Sequence, residues 1–212
     1  TGDIITALAM TEPGTGSDLA AIRTTAVKDG DHYIINGQKT FITNATVADF
    51  VVVLTQTDTK IRPTHRGETL FVVDKGTPGL EATKLHNKMG IRASVTGELS
   101  FSNVKVTDWN MVGELNKGFY YTLELFDGTR ITVAAQAVGI AQGAFEKAFQ
   151  YAKNRKQFNT PIVQFQAISF KFAEMATKIE AARLLTHKAA VLYDQGKPDP
   201  MATSMAKAFA SR

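Results

Sequence analysis

The residues best suited to chemistry gather first in Thr11-Glu12-Pro13-Gly14-Thr15-Gly16-Ser17-Asp18, directly after the apolar run Ile4 to Met10. Gly14 and Gly16 let the backbone approach a ligand closely and turn its N–H groups inward. Thr11 and Ser17 add hydroxyls, and the set suits a phosphate or the polar edge of a ring. The same composition also makes an ordinary tight surface loop. Phe41 and Thr43 alternate on one strand and so face the same side, either as an aromatic platform with a hydroxyl or as a core Phe beside an edge Thr. Asp127 and Arg130, three apart on a helix, share a face and can form a surface ion pair worth about 0.3–0.5 kcal/mol. Arg155 and Phe158, at the end of that helix, offer a guanidinium for a pyrophosphate and a ring for a base; the plain alternative is a solvated helix end.

Other chemistries are excluded or unsupported. There is no Cys, so no disulfide framework, thiolate metal site or cysteine nucleophile is available. His32, His65, His86 and His187 are dispersed without ligand spacing, so no metal is expected. No nucleophile and base pair stands out. At 44% hydrophobic and 21% charged, the 212 residues have the composition of a globular protein rather than a disordered one. The net charge of +4 is spread without a basic block, which gives no reason to expect nucleic acid. The longest apolar runs fall far short of the ~20 residues that cross a bilayer, so no membrane insertion is expected.

Two kinds of element must position these residues. From Ile4 to about Val106 the chain is rich in β-branched residues and punctuated by the turn dipeptides Asp29-Gly30 and Asn36-Gly37, both read as hairpin turns. The runs Asp49 to Thr55, Thr69 to Val73 and Gly97 to Phe101 recur without helical crossovers, and Thr57 to Arg66 reads as an exposed loop. After Gly118 the period becomes helical: Leu123, Phe126, Val133, Ala137, Ile140, Ala144 and Ala148, then Ile168, Phe172, Met175, Ile179, Ala182 and Leu185. Asn159-Thr160-Pro161 breaks the two helices, with Pro161 near the start of the second; Gly196-Lys197-Pro198 stops that one, and a third begins at Met201. The expectation is an α+β protein: an antiparallel β barrel or sandwich domain over 1–112, then long antiparallel bundle helices over 113–212. The chain opens at Thr1 without Met and closes inside a helix-forming stretch, which suggests a piece of a longer protein.

The stretch Met10 to Asp18 resembles the flavin-loop signature of the acyl-CoA dehydrogenase family. Three further segments match the family in the same order: Lys39-Thr40-Phe41-Ile42-Thr43-Asn44, Lys88-Met89-Gly90-Ile91-Arg92, and Phe126-Asp127-Gly128-Thr129-Arg130 leading to Arg155-Lys156-Gln157-Phe158. The resemblance covers essentially the whole chain. It implies the middle β domain and the beginning of the carboxyl-terminal helical domain of a larger flavoenzyme. It also implies that FAD is held by Leu8, Met10, Thr11, Gly16, Ser17, Phe41, Ile42, Thr43, Arg155, Gln157, Phe158 and Gln166. Phe41 would lie against the flavin ring, where many relatives carry Trp, and Thr43 near N5. The acyl-CoA would be held by Ser17, Asp127 and Arg130.

The implied activity is oxidation of an acyl-CoA to a trans-2-enoyl-CoA in fatty acid metabolism and β-oxidation, with a Glu taking the α proton and flavin N5 the β hydride. The family places its Glu either beside the Arg that Arg130 matches or further downstream. Thr129 fills the first place, so no catalytic base is expected within 1–212. The resemblance further implies an electron-transfer flavoprotein as acceptor, a homo-oligomer (dimer or homotetramer) in which the Arg155 to Phe158 segment reaches the FAD of a neighbouring subunit, and a cytoplasmic or mitochondrial-matrix location. The alternatives are an acyl-CoA oxidase-like flavoenzyme and a non-catalytic interaction domain.

Overall fold

A computed structural model of the chain describes residues 2–212, in two compact units, Thr1–Thr122 and Leu123–Arg212. The first unit is a sheet. Its strands are β1 (Thr6–Ala9), β2 (Thr25–Asp29), β3 (His32–Thr43), β4 (Phe50–Gln56), β5 (Glu68–Asp74), β6 (Leu80–Lys84), β7 (Thr96–Thr107) and β8 (Met111–Val112). They run in the order β6-β7-β3-β2-β4-β5-β8, with β1 against β4, and the sheet does not close into a barrel. Most pairings are antiparallel, but β1 lies parallel to β4 and β2 meets β4 in parallel at Thr25 and Gln56, pairings the antiparallel expectation did not contain.

The apolar run in β4 follows from burial on both faces. Val51 and Val53 enter one core cluster with Ala26, Tyr33, Ile35, Phe71 and Val104, whereas Leu54 joins a second cluster with Met10, Ile22 and Leu70. Each such Val or Leu contributes about 1.5–3 kcal/mol on burial. The Tyr33 and Phe71 rings meet at 4.9 Å in the first cluster.

The turn dipeptides divide. Asp29-Gly30 joins β2 to β3 as expected, with Gly30 at φ +63°. Asn36-Gly37 makes no turn. β3 runs straight through it, and a register shift against β7 lies between Ile35 and Gly37. A Cβ on Gly37, at φ +150°, would come 2.5 Å from Thr24 Oγ1 and 2.7 Å from Thr24 Cα, so this glycine serves a close strand approach instead. The Thr57 to Arg66 segment is a loop of exposed and half-buried residues, as expected, and it ends in a short 3-10 turn at Thr64–Gly67 ahead of β5.

The second unit contains most of α1 (Gly118–Asn154), a small hairpin of β9 (Lys156–Gln157) and β10 (Thr160–Pro161), then α2 (Gln166–Asp194) and α3 (Pro200–Ala210). Helices α1 and α2 are antiparallel. Phe145 and Phe149 meet Phe172, Gln142 accepts from Arg183 at 2.9 Å, and Gly128 faces the Tyr193 ring. Ala134, Ala189, Ala202 and Ala206 form a tight cluster among α1, α2 and α3. The inward face of α1 is therefore Ala134, Val138 and Ala152, while Leu123, Val133 and Ile140 from the expected stripe remain exposed. Pro161 lies in β10, five residues before α2, rather than in the first helical turn. Gly196 ends α2 at φ +69°, with its N–H bonded to Tyr193 O and that of Lys197 to Leu192 O. Asp199 caps α3 by accepting from Met201 N at 2.9 Å.

Candidate functional site

The chain leaves β1 at Met10 and turns at once. Glu12 and Thr15 exchange two backbone hydrogen bonds of 2.9 and 3.1 Å around Pro13-Gly14, forming a tight loop with Thr11 half-buried before it and Gly16 and Ser17 exposed after it. A Cβ at Gly14 or Gly16 would meet no protein atom within 4 Å, and neither residue needs a left-handed backbone. The fold itself therefore does not demand glycine there. What lies on that side is open space available to a ligand.

The end of β3 runs antiparallel alongside this segment. Thr40 N donates to Thr11 O at 2.9 Å, and Asn44 Nδ2 donates to Thr6 O at 3.2 Å. Between these bonds the strand changes face. A register shift between Lys39 and Ile42 and a left-handed backbone at Phe41 (φ +58°) turn Phe41 outward, 69% exposed, while Lys39 and Ile42 stay buried. Such a conformation in a bulky residue costs about 1–3 kcal/mol and persists only where its surroundings hold it. Thr43 is exposed on the same side as Phe41, and Leu8 on the outward side of β1 is partly exposed. The sequence-derived set is thereby sorted. Leu8, Phe41, Thr43, Gly16 and Ser17 present surface, whereas the side chains of Met10 and Ile42 are buried in the core.

Behind this surface lies a charged network that sequence reading missed. Lys39, fully buried, donates from Nζ to Glu12 Oε1 and to Met10 O, both at 2.9 Å. Glu12 also accepts from Arg23 N at 2.7 Å and Thr24 N at 2.9 Å. Burial alone would raise the Glu12 carboxyl, but the Lys39 ammonium and the donors from Thr24 outweigh it and hold Glu12 below its ordinary value, hence ionised. Both residues stood inside quoted motifs; the only sequence signal was a Lys at an inward position of an apolar strand.

In the Lys88 to Arg92 motif the polar groups turn inward on their own loop. Lys88 Nζ donates to Ser94 O and to Thr96 Oγ1, and Arg92 Nε donates to Lys88 O at 2.8 Å.

In the second unit Arg130 Nη1 lies 2.6 Å from Asp127 Oδ1, so the two form the expected i,i+3 ion pair, and both are partly buried. Thr129 is exposed, its hydroxyl bonded to Phe126 O at 3.3 Å. Phe158 and Asn159, both left-handed at φ +50° and +61°, form the two-residue turn of the β9–β10 hairpin. That turn holds Phe158 out at 90% exposure, with Arg155 and Gln157 exposed beside it and Gln166 exposed at the start of α2. Among the described residues no group of three or more His, Cys, Asp or Glu could hold a metal, and no helix is long and apolar enough to cross a membrane.

A sheet that turns Phe41 and Thr43 outward beside a loop whose Gly14 and Gly16 face open space, followed in the chain by long helices, defines an α+β protein. The chain belongs to the acyl-CoA dehydrogenase family. Residues 7–104 match the family model described as acyl-CoA dehydrogenase, middle domain, and residues 116–212 the one described as acyl-CoA dehydrogenase, C-terminal domain. A cyclohex-1-ene-1-carbonyl-CoA dehydrogenase of Syntrophus aciditrophicus is 49% identical over 98% of this chain and 50% of its own length. The caffeyl-CoA reductase-Etf complex subunit CarC of Acetobacterium woodii is 46% identical over 100% of this chain and 55% of its own. The crystal structure of an acyl-CoA dehydrogenase from Geobacillus kaustophilus superposes with a TM-score of 0.94 at 46% identity, over 99% of this chain and 56% of that one. The chain thus spans about half the length of the relatives it matches.

Proposed function

We propose that the complete protein is an FAD-dependent acyl-CoA dehydrogenase that converts an acyl-CoA to its trans-2-enoyl-CoA and passes electrons to an electron-transfer flavoprotein. The observation that carries this reading is the outward-turned Phe41 with Thr43, bonded through Thr40 to a loop whose Gly14 and Gly16 are flanked by open space, in a chain of this family. In this reading 1–112 is the flavin and acyl-CoA domain and 113–212 the first part of the helical domain.

The residues fit the cofactor. Phe41 and Leu8 supply apolar surface for a planar ring, Thr43 a hydroxyl at its edge, and Met10, Thr11 and Ile42 backbone groups for its pyrimidine side. Gly16 and Ser17 permit close approach of a pyrophosphate and of the thioester. When bound, FAD supplies the hydride acceptor at N5. Arg155, Gln157, Phe158 and Gln166, each exposed, suit the dinucleotide end of the FAD of a neighbouring subunit. Asp127 orients Arg130 toward the anionic CoA. Thr129 cannot take a proton at neutral pH, so the α proton goes to a carboxylate outside 1–212. An oligomer and a cytoplasmic location belong to the same reading, and the Etf-complex membership of the Acetobacterium woodii relative supports the acceptor.

Purified complete protein should be yellow, and anaerobic addition of a short acyl-CoA should bleach the flavin in one turnover. Colourless protein that takes up no FAD would mark a non-catalytic interaction domain. Rapid reoxidation of the bleached flavin in air would mark an oxidase.

A further inference from the structure

We infer that Lys39 is a positioning residue for the cofactor, holding the Met10-Thr11 segment and the Phe41 to Thr43 segment in one fixed relation through Met10 O and the Glu12 carboxylate; this rests on the functional reading above. The two ligand-facing segments come from separate strands. Among the described residues Thr40 N donates to Thr11 O beside them, and Asn44 Nδ2 donates to Thr6 O further along. On the inner side Lys39 alone reaches from one to the other, with two bonds of 2.9 Å placed immediately before the register shift that turns Phe41 outward.

Glu12 extends the hold. By accepting from Arg23 N and Thr24 N it ties the start of the loop to the residues that lead into β2, so ammonium and carboxylate together hold the Met10 to Glu12 end of the turn. The pair is shielded from water, with Lys39 and Glu12 side chains 0% and 5% exposed. A buried pair of this kind is weak evidence for stability, because desolvation offsets most of the Coulomb gain; what it enforces is a particular arrangement. That arrangement sets the distance between the Thr11 hydroxyl and the Phe41 and Thr43 side chains, the dimension that a rigid tricyclic ring must match. Lys39 touches neither cofactor nor substrate in this account and acts only through Met10 and Glu12.

The test compares complete, FAD-loaded wild type with Lys39→Met. The readouts are the FAD dissociation constant, the visible circular dichroism of the flavin at saturating FAD, and the melting temperature of the apoprotein. A positioning role predicts weaker FAD binding by about tenfold or more, from loss of a charged hydrogen bond, together with an altered flavin dichroism at saturation. A merely structural role would lower the melting temperature and leave the dichroism of the bound flavin as in wild type, which would overturn the inference. Should Lys39→Met fail to fold, Glu12→Gln with Lys39→Met removes both charges and leaves no buried ion unpaired. An altered flavin dichroism in that double variant supports the role, and a wild-type signal refutes it. Wild-type protein that takes up no flavin would instead overturn the functional reading itself.

Discussion

Glu68 stands directly across the β4–β5 ladder from Gln56, and both of its carboxylate oxygens, like the Gln56 side-chain carbonyl, are buried without a protein partner. The Gln56 amide nitrogen is already committed to Asp58 O and Thr64 O. Burial therefore dominates. It pushes the Glu68 carboxyl from 4.5 up to about 8, against a smaller opposing pull from Lys39. The folded protein keeps this proton at neutral pH, while an unfolded chain gives it up.

Stability should then fall as pH rises between 4.5 and about 8 and change no further above that. At roughly 1.4 kcal/mol per unit, the loss over that interval is of order 5 kcal/mol at most. Glu68→Gln removes the titration. Denaturant melts of the two proteins across this range should diverge with rising pH, with the variant the more stable at pH 8; parallel curves would show that Glu68 does not hold its proton.

The glycines separate ligand demands from fold demands. A Cβ at Gly16 meets no protein atom within 4 Å, so Gly16→Val should leave the melting temperature nearly unchanged while abolishing FAD binding. Gly37→Ala drives a Cβ into Thr24 and should cost about 1–3 kcal/mol or more, whether or not flavin is present. Normal FAD content in Gly16→Val would remove the loop from the site.

Thr129 is exposed and bonds only within its own helical turn. Thr129→Ala should keep most of its turnover, whereas loss of a general base costs about 10²–10⁴-fold. Stopped-flow flavin reduction in the complete enzyme measures this directly, and collapse with intact acyl-CoA binding would place the base at this turn of α1.

Phe158 is held out by a two-residue turn, Arg155 is exposed just before β9, and neither has a part in the core. Arg155→Ala should raise the FAD dissociation constant by about 10–100-fold through loss of a charged hydrogen bond and barely affect apoprotein stability. FAD titration and light scattering together decide it: an oligomer with unchanged FAD affinity would leave this segment a solvated helix end.

Features that rest on a few adjacent residues were legible in the sequence. The Asp29-Gly30 turn, the β4 apolar run, the Gly196 stop and the change from strand to helix period each depend on local φ/ψ preference or on burial along one element. So did the motifs that mark the family. Asn36-Gly37 carries the same local signal as a hairpin turn, yet pairing with β7 and the approach of Thr24 keep it in a strand, because long-range ladder bonds outweigh a dipeptide's preference. Alternation placed Phe41 and Thr43 on one side, but not which side. Counting by twos from Lys39 would send Phe41 inward, and only the register shift against β7 reverses it. Lys39 and Glu12 are 27 residues apart, and nothing local joins them. Their pairing exists because a buried ammonium must find a carboxylate or carbonyl wherever the fold brings one, and that choice belongs to tertiary structure alone.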